Sequence, residues 1–219
     1  MSLTLVIETS SRAYAIGFSR KGEVVYESIH DFPNNSGRDL TPLVKAGLDD
    51  LGAAASDISK IAVNYGPGGL GAIRAGVAFA NGLGFALNAP VAPLLSFELF
   101  AEEARARTDL PLLCLRKAAA GAAYAGLMRP DAEAVLRFGP LSSVTRLAAD
   151  LPAVALAGSF RVEAAAQLGD VEIIDTGIDA PRIQTLATLA ERHSGQDVRV
   201  EPVLPINEFS PRFPPMEAA

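Results

Sequence analysis

The stretch KIAVNYGPGGLGAIRAGVAFANGLGFAL, residues 60–87, decides the fold. KIAVNY reads as a buried strand. The run after Gly71 carries no charge except Arg74 and reads as a helix to about Leu87, stopped by Asn88 and Pro90. Between them Gly66, Gly68 and Gly71 spell G-x-G-x-x-G. A dinucleotide site needs that motif in a first strand-to-helix turn, with an acid about 20 residues on at the end of the next strand. Here the motif follows a fourth strand, and the next strand, VAPLL (91–95), ends without Asp or Glu. Glu98 falls inside the following helix, and Pro67 removes an N–H from the loop. No Gly-Lys-Ser/Thr follows, so the Walker pattern fails as well. The glycines read as a sharp reversal from a strand into a close-packed helix.

Working outward, LTLVIE (3–8) is a buried strand, and YAIGFSR (14–20) and EVVYESI (23–29) form a hairpin around RKGE. Leu40, Leu43, Val44, Leu48 and Leu51 repeat at helical spacing, with Pro42 in the first turn and Gly52 at the end. Ser96 caps the helix FELFAEEARAR. The order is β-β-β-α-β-α-β-α, and the second half repeats it. Strands are expected at 111–116, 122–128, 133–139, 153–158 and 171–175, and helices at 142–151, 160–169 and 181–195. Two similar α/β lobes follow, residues 1–107 and 108–206, with a Pro-rich tail at 207–219 that frays or packs back.

The helix after the glycines is apolar nearly all round: Ile73, Val77, Phe79, Ala80, Leu83, Phe85, Ala86 and Leu87, broken only by Arg74 and Asn81. Such a helix is either wholly interior or covered by a partner. In a lobe of this size one helix face normally meets water, which favours the partner.

Composition narrows the class. The chain has 219 residues and 49% hydrophobic residues, ordinary for a globular protein with a core. A net charge of −6 argues against direct nucleic-acid binding, though not against a complex whose other subunit holds RNA. The single cysteine, Cys114, lies in the apolar run LPLLCLR and reads as a buried thiol of a cytosolic protein. Glu8 interrupts the apolar start and no cleavage site follows, so no secretory leader is expected. The apolar helix is too short and glycine-rich to read as a membrane span.

The segments LTLVIETSSRAYAIGFSRKGEVV and DLTPLVKAGLDDLGAAASDISKIAVNYGPGGLGAIRAGVAFANGLGFALNAPVAPLLSFE resemble the first lobe of the TsaB (YeaZ) family, which typically carries D-T-S near the start and G-P-G-S-F-T-G-L-R-x-G before the apolar helix. The match covers about residues 3–105; beyond it, element order and AAYAGLM (122–128) carry the likeness. The resemblance implies an α/β, actin-like (sugar kinase/Hsp70) fold of two ribonuclease-H-like lobes. It implies a cytoplasmic, glycoprotease-like but non-catalytic subunit of the machinery that makes threonylcarbamoyladenosine in tRNA. Such a subunit pairs with its paralogue TsaD, which holds the active site, while TsaE joins as an ATPase and any ATP or ADP belongs to the assembled complex. By position, the partner surface comprises Leu40, Leu43, Val44, Leu48, Ile73, Val77, Ala80, Leu83 and Leu87. The same surface could form a homodimer when the partner is missing.

Departures from the family pattern bear on chemistry. Glu8 stands where Asp is usual, Gly69-Leu70-Gly71-Ala72 replace Ser-Phe-Thr-Gly, NNSGRDL (34–40) lacks a common histidine, and Lys117 stands where Asp is common. Glu8, Gly66, Gly68 and Gly69 are the weak candidates for a cofactor site. Without a second carboxylate, Glu8 reads as a hydrogen-bonded strand end. His30 and His193 lie far apart, no His-x-x-x-His occurs, and one cysteine cannot complete a zinc site. His193, near a helix C-terminus, reads as a surface residue suited to the dipole. Ser10 and Ser11 lead into a strand, which rules out a nucleophile elbow. The competing readings are an independent nucleotide-binding enzyme using Glu8 and the Gly66–Gly71 loop, or a diverged TsaB homologue with another partner.

Overall fold

Three strands, β1 (Leu3–Glu8), β2 (Ala13–Arg20) and β3 (Glu23–Asp31), run up, down and up in the computed structural model. It describes residues 2–11, 13–31, 39–193 and 202–217. The β2–β3 turn is Lys21-Gly22, with φ of 51° and 82°, a primed turn whose twist suits the flanking strands. β4 (Ile58–Gly66) lies parallel to β1, and β5 (Val91–Leu95) parallel to β4. The first sheet therefore has the order β3-β2-β1-β4-β5. The helices of this half of the chain are α1 (Thr41–Asp50), α2 (Leu70–Leu87) and α3 (Ser96–Ala104). Asp39, the residue before the N-cap Leu40, accepts the Thr41 N–H on Oδ1 at 2.9 Å in a turn that leads into α1. Those Thr41 hydrogen bonds hold the Asp39 carboxyl below its ordinary pKa. α2 ends at Asn88, which takes the left-handed conformation at φ 51°.

The second set repeats the first. β6 (Leu112–Lys117), β7 (Ala122–Arg129) and β8 (Ala132–Pro140) are antiparallel neighbours, and β9 (Ala153–Ala157) and β10 (Glu172–Asp175) add in parallel beyond β6. The order is β10-β9-β6-β7-β8, the first sheet's pattern read from the other edge. Each sheet has the ribonuclease-H-like strand order expected of a two-lobed α/β fold.

Two helices of the second lobe are shorter than expected. The segment 142–151 holds only α4 (Leu141–Val144) and a 3₁₀ turn over Thr145–Ala148. The Thr145 hydroxyl bonds back to Leu141 O at 3.1 Å, which favours the tighter turn. α5 spans only Arg161–Ala165, because Gln167 and Leu168 donate to carbonyls three residues back. α6 (Ile183–Arg192) ends before Ser194 and Gly195, which lie outside the described residues.

The lobe boundaries differ from those expected. One compact unit is Met1–Ser96 with Pro181–Pro205; the other is Phe97–Ala180 with Ile206–Ala219. α6, expected in the second lobe, packs across β1 to β5 of the first sheet. A Cβ on Gly17 would lie 2.3 Å from Ile183 Cγ2, so that glycine is the notch α6 fills. The Lys60 ammonium reaches Ala190 O at the helix end. Phe18, the next residue on β2, points to the opposite face and meets α1 at Gly47. Hence α1 and α6 cover opposite faces of the first sheet.

α3 crosses over for an equally local reason. The Phe97 ring lies against Gly126 of β7 and makes an edge contact with Phe213 at 5.7 Å. The tail beyond residue 206 is irregular yet packed as far as Glu217, with Ala218 and Ala219 outside the described residues. Phe138 N donates to Pro214 O at 3.1 Å, Met216 N donates to Phe138 O at 2.7 Å, and Phe213 is buried.

Candidate functional site

The C-terminal ends of β1 and β4 bring Glu8, Ser10, Asn64 and the glycine loop together. Glu8 is 2% exposed, and its carboxylate is held by donors of its own lobe. Oε1 accepts from the Ser10 N–H and the Ser10 hydroxyl, both at 2.6 Å, and Oε2 accepts from Asn64 Nδ2 at 2.6 Å. Asn64 Oδ1 in turn accepts the Gly66 N–H at 3.0 Å. The Ser96 hydroxyl lies 2.9 Å from Asn64 Oδ1 and 2.8 Å from Pro67 O. A buried carboxylate is tolerated when hydrogen bonds replace its water, and these do. Glu8 is thus the hydrogen-bonded strand end read from the sequence.

The loop is tied down in the same way. Gly66 N is spent on Asn64, Pro67 has no N–H, and Gly69 N donates to Ser10 O at 3.1 Å. A phosphate cradle needs such N–H groups turned outward. Gly68 is required by space: a Cβ there would sit 2.5 Å from Ser10 O. Of the weak cofactor candidates, Glu8 and Gly66 are therefore committed inside the lobe, Gly68 is a close-packing residue, and Gly69 begins α2. Lys117, at the matching end of β6, is exposed, with its ammonium 5.5 Å from the Phe160 ring centroid. Among the described residues no three His, Cys, Asp or Glu side chains gather closely enough to hold a metal ion. Cys114 is buried, and burial pushes its thiol pKa up.

The second region is the outer side of α1 and α2. α2 is long and apolar enough to cross a membrane by composition, yet it lies on β4, β1 and β5. Its inward face is Ala72, Ile73, Gly76, Val77, Ala80 and Gly84, at helical spacing. This corrects the expected surface. Ile73, Val77 and Ala80, with Leu40, Val44 and Leu48 of the α1 region, are core residues, and Leu43, Leu83 and Leu87 are half-buried. Large apolar residues at those spacings mark the side that faces the sheet.

The outward face consists of Arg74, Ala78, Gly82, Phe85 and Ala86, and Phe85 is 93% exposed. Only Arg74 on that face is charged. Between the two helices runs an open groove of about 670 Å³, floored by Val44, Leu48, Phe79 and Leu83. One rim carries the exposed Lys45–Asp49 ion pair at 2.6 Å. Sequence reading undervalued Ala78 and Gly82, because small residues give no hydrophobic signal. A wheel drawn from the inner positions would have found them on the far side.

A family model described as "TsaD: tRNA N6-adenosine threonylcarbamoyltransferase" matches residues 33–191. The tRNA threonylcarbamoyladenosine biosynthesis protein TsaB of Bacillus subtilis (strain 168) is 33% identical over 125 residues, 56% of this chain and 53% of that protein. The tRNA N6-adenosine threonylcarbamoyltransferase of Moorella thermoacetica is 44% identical over 52 residues, 24% of this chain and 15% of that protein. The match thus spans about half of the TsaB relative and a small part of the transferase. The solved structure of YeaZ from Pseudomonas aeruginosa superimposes with a TM-score of 0.75 at 22% identity, covering 94% of this chain and 100% of that one, and shares the fold. With residues 33–191 matched, well over half its length, the chain belongs to the family described as TsaD, tRNA N6-adenosine threonylcarbamoyltransferase, and within it is similar to TsaB.

Proposed function

We propose that this chain is a non-catalytic subunit in the biosynthesis of threonylcarbamoyladenosine in tRNA, and that it works by pairing with a TsaD-type transferase through the outer side of α1 and α2. The observation that carries this reading is the nearly uncharged outer face of α2, with Phe85 left in water and an apolar groove running between α1 and α2. Soluble domains keep such patches small unless something covers them. The inward commitment of Glu8 and of the Gly66 and Gly69 amides supports the non-catalytic half of the proposal. The net charge of −6 supports a division of labour in which the partner holds the tRNA. A TsaE-type ATPase joins the assembled pair, any nucleotide binds there, and the site of action is the cytoplasm. Without its partner the same face pairs two copies of the chain.

The test is calorimetric titration of the chain with a cognate TsaD-type transferase. Phe85→Asp places a charge on an already exposed side chain, so the fold should keep its melting temperature while the heat of binding disappears. Unchanged binding would overturn the interface. Mg-ATP titrated into the isolated chain should give no heat. Micromolar binding abolished by Glu8→Ala would point instead to an independent nucleotide-binding enzyme.

A further inference from the structure

Asn81 is one of only two residues that break the apolar run of α2, and it does not face open water. Its amide makes a two-point bond to the backbone of one residue in the chain's last segment. Nδ2 donates to Val203 O at 2.9 Å, and Oδ1 accepts the Val203 N–H at 3.0 Å. A side-chain amide used in this way imitates a strand neighbour and satisfies both polar groups of an irregular segment. Val203 is buried, and Leu204, the next residue, is 76% exposed. On α2, Ala78 and Phe85 stand three residues before and four after Asn81, so they share its side of the helix. The clamp therefore brings Leu204 to the side of α2 that exposes Phe85. It also consumes the one uncharged polar side chain of that helix, leaving apolar surface around it.

Resting on the reading of α1 and α2 as the partner face, we infer that Asn81 is a positioning residue for that interface. It holds segment 202–205 against α2 so that Leu204 extends the apolar surface covered by the transferase. The occupant is an uncharged helix face of that partner, because VLPI (203–206) adds no charge to a surface whose only nearby charge on α2 is Arg74. The surface is continuous with Phe85, the residue on which the proposed interface rests.

Binding of the full chain to the cognate TsaD-type transferase tests this in four variants. Leu204→Asp and Asn81→Ala should each weaken the dissociation constant about tenfold, the scale of one or two hydrogen bonds or one buried side chain. Asn81→Ala should also speed hydrogen exchange of the Val203 amide. In the double variant Asn81→Ala/Leu204→Asp the losses should fall short of additive, because a released segment no longer presents residue 204. Phe85→Asp, run alongside, separates the two claims. Loss with Phe85→Asp but none with Leu204→Asp overturns the extended surface alone. Loss with Leu204→Asp but none with Asn81→Ala overturns the positioning role. No loss with Phe85→Asp overturns the interface on which both rest.

Discussion

The two lobes share a strand order and differ in almost everything laid on it. In the first, β4 is followed by the 18-residue α2, and β1 ends in the buried Glu8. In the second, the equivalent β9 is followed by the five-residue α5, and β6 ends in the exposed Lys117. The shared part is what buries each sheet's centre; the divergent part is what meets the surroundings. Sheet topology is thus a poor guide to where function sits, and the proposed partner face lies on helices that only one lobe carries at that length.

The sharpest way to break this contrast is to disturb the seat of α2. A Cβ at Gly76 would lie 2.3 Å from Thr9 Oγ1, which is buried at the end of β1. Gly76→Val should destabilise the fold by about 3 kcal/mol or more, read as a fall in melting temperature, because strand and helix backbones cannot part without opening the core. Glu8→Ala should cost about 2–3 kcal/mol in the same assay by stranding the Ser10 and Asn64 donors without an acceptor. Lys117→Ala, at the matching position of the second lobe, should be nearly silent. Equal losses at the two strand ends would erase the distinction drawn between the lobes.

The second lobe makes its own prediction in alkali. Burial, and then the negative charge of Glu208, push the Tyr124 hydroxyl up to about 12. Below pH of about 10 folded and unfolded chains both keep that proton, so pH has no effect through this group. Between about 10 and 12 the unfolded chain loses it first, and stability should fall as pH rises. Tyr124→Phe should flatten that slope in denaturant titrations followed across the window. At the small end, the Lys45–Asp49 pair is exposed on both sides, and Lys45→Ala should shift stability by no more than about 0.5 kcal/mol.

Much of this architecture was legible because it depends on local signals. The period of the apolar residues, Gly22 in the hairpin, Asn88 at the helix stop and Pro42 in the first turn of α1 each act within a few residues. Three features were not legible. Which sheet α6 covers depends on the notch at Gly17, far away in sequence, and an amphipathic pattern is the same on either sheet. The tail's packing depends on Phe213 meeting Phe97 and Tyr124, aromatic contacts that a Pro-rich segment does not announce. Six of the residues expected on a partner face, Leu40, Val44, Leu48, Ile73, Val77 and Ala80, are core, since hydrophobic weight reports burial within the chain. At the candidate site, the place of Glu8 was readable from its strand end; its closure by Asn64 and Ser10 was not.

Gly82 carries a consequence of its own. It lies exposed on α2, and a Cβ added there would meet nothing within 4 Å. A surface built on glycine and alanine selects its mate by contour, since two backbones can come close only where no bulk intervenes. Gly82→Leu should therefore raise the melting temperature slightly, leucine being the better helix former, and yet, although it makes the face greasier, loosen the proposed transferase complex: on this helix thinness, not oiliness, would be the credential a partner checks.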